Sequence, residues 1–234
     1  AFEARFKSLK KPSEGEIASQ FDHPYIVKTL EYGDTTEGLQ YIVMEFLEGP
    51  GMNSVLVAKD PWFPIRRLKF IRQMAEALAV IHKAGILHHD ICPRNLLLTG
   101  DRETAKLTDF GLSVPAQGAY LQGGNRAGTA NYMAPEVVRR LPKDFRLDLF
   151  SFGVTAYEMC TRHLPWQAGT TGMAAMSHDR PPTDIFTYRP NLHPVLAKAI
   201  HWCMEPELAK RCPSIDRFLF AIREVSAEEL PNGG

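Results

Sequence analysis

Three short clusters in this sequence concentrate the side chains that can do chemistry: HHDICPRN at 88–95, TDFG at 108–111 and GTANYMAPE at 128–136. Asp90, Asn95 and Asp109 bring carboxylate and amide oxygens, which are hard donors. A carboxylate such as Asp90 can also orient a hydroxyl nucleophile or accept its proton. Taken singly, an Asp or Asn beside Pro or Gly is an ordinary turn former, and only the grouping points further. A zinc reading of His88, His89, Asp90 and Cys92 competes on residue type. Adjacent histidines converge on a metal only in an extended or turn geometry, and no second ligand pair lies at the usual spacing, so oxygen chemistry is favoured.

The elements that must position these clusters are legible around them. YIVKTLEY (25–32) and LQYIVMEF (39–46) are β-branched and aromatic runs separated by GDTTEG, which predicts an antiparallel hairpin. Before it, Pro12 and Ser13 predict a short helix running through Gln20. Gly49-Pro50-Gly51 then breaks the chain as a connector. Beyond Pro64, Leu68, Ile71, Ala75, Leu78 and Ile81 recur at helical spacing, and Gly85 supplies a left-handed cap. ILH (86–88) and LLL (96–98) flank the first cluster. Further helices are predicted over 148–160 and after an N-cap at Ser214, with Ile215, Phe218, Leu219 and Ile222 on one face.

Composition narrows the class. The 234 residues are 44% hydrophobic and 23% charged, which is ordinary globular usage, and no repeat or Gly/Ser-rich linker divides them. The 27 basic residues balance the 27 acidic ones, which argues against nucleic acid as a partner and against a polybasic membrane module. Cys92, Cys160, Cys203 and Cys212 form no C-x-x-C pair, so a reducing compartment and a cytoplasmic location are expected. No apolar run has the length needed to span a bilayer.

With the hairpin before them and DLFSFG (148–153) after, the three clusters resemble the eukaryotic-like protein kinase family, over about Ser13 to Val225. The resemblance implies an α+β, bilobal fold. Its small lobe would be incomplete, one helix and one hairpin over 1–48, and its large lobe mainly helical over 49–234. It also implies transfer of the γ-phosphoryl of Mg-ATP to a protein hydroxyl, so ATP and magnesium are the expected cofactors and a protein the expected substrate. On this pattern Asp90 orients the hydroxyl, while Asn95 and Asp109 hold magnesium. Glu14, nine residues before His23-Pro24, matches the small-lobe glutamate that pairs with a strand lysine. Met44 matches the gatekeeper, and the backbones of Glu45 and Leu47 match the groups that meet the adenine edge. Glu136 and Arg211 match a buried ion pair, Asp148 matches an aspartate that accepts backbone hydrogen bonds from the catalytic loop, and His88 would support Phe110. GTANYMAPE resembles the serine/threonine form, in which Thr129 hydrogen-bonds Asp90.

Three departures accompany the match. No Gly-rich phosphate loop and no strand lysine occur among these residues; Lys7, Lys10 and Lys11 stand too close to Glu14 to replace that lysine. The shortfall, with Ala1 at the start, suggests a piece of a longer kinase domain that alone turns ATP over very weakly or not at all. A pseudokinase scaffold is the alternative. His89 stands where the family places an arginine, and Tyr120 is the only hydroxyl between Val114 and Gly128, so gating by activation-loop phosphorylation is not expected. Cys92 stands where serine/threonine kinases place a lysine; Arg94 could reach the same phosphate, or be a solvated loop charge.

Overall fold

The computed structural model describes residues 11–124, 126–166 and 177–226. Helix α1 (Glu14–Ala18) begins where expected because Ser13 and Glu16 form a capping box. The Ser13 hydroxyl accepts from Glu16 N at 3.1 Å and the Glu16 carboxylate accepts from Ser13 N at 2.7 Å, which satisfies two donors a helix start leaves orphaned. The helix stops two residues short of Gln20. Single-turn bonds from Gln20 N to Ile17 O and from Phe21 N to Ala18 O take over, and they swing Phe21 into the core at 5% exposure.

Strands β1 (Thr29–Asp34) and β2 (Gln40–Met44) form the expected antiparallel hairpin, with Tyr32 opposite Ile42. Its boundaries differ from the sequence reading. Residues 25–27 leave the hairpin and pair instead with the large lobe: Leu107 N donates to Tyr25 O at 2.8 Å and Val27 N to Leu107 O at 2.9 Å. Burial explains the choice, because Ile26 and Val27 become almost fully covered there. On the hairpin itself Leu30, Leu39, Val43 and Met44 remain exposed, an apolar surface turned to water. The connector then passes so close to the large lobe that a Cβ on Gly49 would strike the carbonyl oxygens of Leu98 and Thr99.

The large lobe is built on two long helices. Helix α2 (Met52–Ala58), which the sequence reading did not include, precedes α3 (Phe63–Lys83). Leu68, Ile71, Ala75, Leu78 and Ile81 form the buried stripe of α3, and Gly85 follows at φ +74°. Two short ladders follow: β3 (Ile86–Leu87), β4 (Leu96–Leu98), β5 (Ala105–Leu107) and β6 (Val114–Pro115) pair as β3 with β6 and β4 with β5. After α4 (Pro135–Val138) comes α5 (Arg146–Thr161), buried on nearly every face, as befits a helix at the centre of a lobe. Helices α6 (Pro194–Cys203) and α7 (Ile215–Ala221) close the lobe, the latter capped by Ser214 as predicted. Among the described residues no helix is long and apolar enough to cross a membrane.

Candidate active site

The loop between β3 and β4 is anchored from below by one carboxylate. Asp148, fully buried in the first turn of α5, accepts from His88 N and His89 N at 2.8 Å each, and its Oδ2 lies 3.0 Å from His82 Nε2. Burial pulls this carboxyl upward, yet the His82 hydrogen bond and the neighbouring imidazoles hold it below the usual aspartate range. His82, on the last turn of α3, was not picked out from sequence; its place one helical turn before the Gly85 cap is the only signal it gives. The sharp path of the loop puts His89 at φ +72°, a region disfavoured for most side chains.

This anchoring holds Asp90, 5% exposed, among several donors. Its Oδ1 accepts from Thr129 N and from Thr129 Oγ1, both at 2.7 Å, and its Oδ2 accepts from Asn95 Nδ2 at 3.1 Å and Arg94 Nη2 at 3.3 Å. The expected Thr129 contact is therefore present. Arg94 also reaches Thr129 Oγ1 at 3.2 Å, so it folds back over the 88–95 loop although its side chain is 64% exposed. Cys92 packs beneath, with burial and then the Asp90 charge pushing its thiol up. A neutral thiol leaves Arg94 as the only permanent cation in the 88–95 cluster.

Asn95 ties the first cluster to the second. Its amide nitrogen holds Asp90 O at 2.9 Å, its own carbonyl accepts Thr108 N at 3.0 Å, and its Oδ1 has no described partner. Asp109 sits at φ +67°, with Gly111 N donating to its Oδ1 at 3.3 Å. Phe110 turns inward between Phe21, stacked at 5.3 Å, and His88, at 5.1 Å between ring centroids. A continuous column thus runs from the end of α1 through Phe110 and His88 to Asp148. Phe21 was missed at the sequence level, since a single Phe after a helix carries no periodic signal.

Glu14 faces this second cluster. Burial raises its carboxyl and the Asp109 charge raises it further, against lowering contributions from Phe110 N–H and Lys11. Lys11 donates to Gly111 O at 2.9 Å, so the amine expected to be a poor stand-in for the strand lysine engages the DFG backbone. Lys7 and Lys10 lie outside the described residues.

At the connector, Glu45 N donates to Lys28 O at 2.9 Å, leaving the Glu45 carbonyl without a described partner. Its carboxylate is taken by Lys106 at 2.7 and 2.9 Å and by Lys28 N, a pairing the sequence did not suggest, and Met44 is 45% exposed. Leu47 is partly exposed on the same stretch.

Glu136 and Arg211 meet as expected, bidentate at 2.7 and 3.0 Å and almost wholly buried. Tyr120 is 7% exposed, which leaves the sole hydroxyl of that loop hidden from a modifying enzyme. Residues 88–92 do not gather around a metal: among the described residues no group of three His, Cys, Asp or Glu is placed to hold one.

The comparisons agree with this geometry. Residues 3–219 match the protein kinase domain. The chain is 38% identical over 160 residues to the human ribosomal protein S6 kinase alpha-2, covering 68% of this chain and 21% of that protein. It is 28% identical over 227 residues to the serine/threonine-protein kinase pkn3 of Myxococcus xanthus, covering 92% of this chain and 41% of that one. The chain thus spans about a fifth to two fifths of the length of such relatives. With its α+β, bilobal architecture, Asp148-anchored loop and buried Glu136–Arg211 pair, the chain belongs to the protein kinase domain family.

Proposed function

We propose that this domain, 1–48 as small-lobe part and 49–234 as large-lobe part, serves to transfer the γ-phosphoryl of Mg-ATP to a serine or threonine hydroxyl of a protein. The observation that carries the reading is the hydrogen-bond set on Asp90. Thr129 fixes Oδ1 through two 2.7 Å bonds, and the longer contacts on Oδ2 leave that oxygen to receive the substrate hydroxyl. Asp90 then orients the nucleophile and takes its proton. The partner-free Oδ1 of Asn95 and the Asp109 carboxylate are hard donors joined through the Thr108 backbone bond, a set that fits magnesium. When bound, magnesium would neutralise phosphate charge.

Arg94 supplies the cation that Cys92 lacks, and its bonds to Asp90 and Thr129 favour this role over that of a solvated loop charge. The carbonyl of Glu45 and the backbone of Leu47 are the proposed adenine contacts, beside Met44. Glu14 would pair with a strand lysine, as the family pattern implies. A second reading, a pseudokinase used as a binding module, is favoured by Cys92 and His89, which stand where the family pattern has a lysine and an arginine. A cytoplasmic setting is part of the same proposal, supported by four cysteines that form no disulfide among the described residues.

Nucleotide binding separates the readings. Titration of ATP by calorimetry with and without magnesium should show a magnesium-dependent gain in affinity that Asp109→Asn and Asn95→Ala each remove. Binding that ignores both substitutions contradicts the assigned ligands.

A further inference from the structure

Away from the catalytic loop, the start of α3 and the end of α5 border a cleft of about 380 Å³ whose lining includes Lys59, Arg67, Arg162, His163, Tyr188 and Arg189. No Asp or Glu lines it among the described residues. Arg67 is the telling member. It is 2% exposed, yet its guanidinium makes a single described hydrogen bond, from Nη1 to Cys160 O at 2.9 Å, and its Nε has no acceptor.

Another arginine in the same lobe shows what a satisfied one looks like. Buried Arg211 places all five N–H donors, two on Glu136 and the others on the carbonyls of Arg146, Glu205 and Pro206, over the face of Phe150. A buried permanent charge without such partners is costly.

The neighbours sharpen the conflict. Burial and then the charges of Arg67 and Arg162 push Arg189 down, so these guanidinia stand close enough to repel. Lys59 and Arg162 close α2 and α5 in left-handed backbone, at φ 55° and 60°. Their helix C-terminal positions welcome a cation. That account does not extend to Arg67, which lies near the opposite, positive end of α3.

We propose that this cleft is a phosphate-binding site. A phosphate brings several strong acceptor oxygens and the negative charge that the described lining residues lack, and planar guanidinium forks match it. Lys59 and Arg162 also line the adjoining groove, which holds Cys92, Arg94 and Thr129. A phosphate carried on the polypeptide whose hydroxyl approaches Asp90 is therefore the favoured source, ahead of free phosphate. That source rests on the kinase reading, whereas the site rests on its own geometry.

The test uses binding, so it does not depend on turnover. Thermal unfolding of the chain is followed in rising sodium phosphate against sodium chloride at matched ionic strength, for the wild type and for Arg162→Asn, a residue that tolerates the left-handed backbone. The wild type is expected to gain Tm specifically with phosphate, and Arg162→Asn to need about ten to a hundred times more phosphate for the same gain. Arg67→Met, where it folds, should no longer respond. No phosphate-specific gain in the wild type, or an equal gain in Arg162→Asn, overturns the site. Fluorescence anisotropy then compares a serine peptide with the same peptide carrying a phosphoserine to one side of its acceptor. At least tenfold tighter binding of the phosphopeptide supports the polypeptide source; equal binding of both overturns that source.

Discussion

His89 makes the fold acid-sensitive, and the size of the effect can be worked out. Burial, reinforced by the charge of Lys143, pushes its imidazole down from 6.5 to about 3. In the unfolded chain the same ring takes a proton near pH 6.5. Between those values the unfolded state binds one more proton than the native state, so this contribution to stability is full above pH 6.5 and lost progressively as pH falls towards 3. At about 1.36 kcal/mol per unit, acidifying from pH 7 to 4.5 costs about 2–3 kcal/mol through this residue. That is a large part of the roughly 5–15 kcal/mol that holds a domain folded. Urea unfolding of wild type and His89→Asn at pH 7.0, 5.5 and 4.5 isolates the effect, because Asn accepts φ +72° and does not titrate. The variant should lose about 2–3 kcal/mol less than wild type between the first and last pH. Parallel losses in the two proteins would refute the reasoning.

Three further outcomes are expected. Arg211→Met leaves the Glu136 carboxylate buried and unpaired and should cost about 3–5 kcal/mol in urea unfolding; a loss under about 1 kcal/mol contradicts the satisfied-pair account. Gly49→Ala drives a methyl into the Leu98 and Thr99 carbonyls and should cost about 1–3 kcal/mol, with no penalty as the contrary result. In the protein as it occurs naturally, Arg94→Ala should lower turnover about tenfold or more; unchanged turnover, with Cys92→Lys sharply faster, refutes the compensation.

What the sequence revealed and what it hid follow from the range of each interaction. Helix α3 and the Ser214 cap were legible because periodicity and capping are local signals. The contacts of Asp90 with Thr129 and of Glu136 with Arg211 were reached through motif resemblance, since residues 39 and 75 apart in the chain share no local signal. Helix α2 opens after Gly51 with no side-chain cap, so nothing marked its start. The diversion of residues 25–27 onto Leu107 was hidden for a related reason: a β-branched run says that it will pair, not with which strand. His82 under Asp148, Lys106 on Glu45 and the buried Arg67 are tertiary facts that no spacing encodes.

The central claim is that Asp90 orients a serine or threonine hydroxyl for phosphoryl transfer. Its most direct test is phosphoamino-acid analysis of a protein substrate after incubation of the natural protein with γ-labelled Mg-ATP, wild type beside Asp90→Asn. The account predicts label on serine or threonine, reduced about a hundredfold or more by Asp90→Asn. Label that survives the substitution undiminished, or that lies on tyrosine, would contradict it.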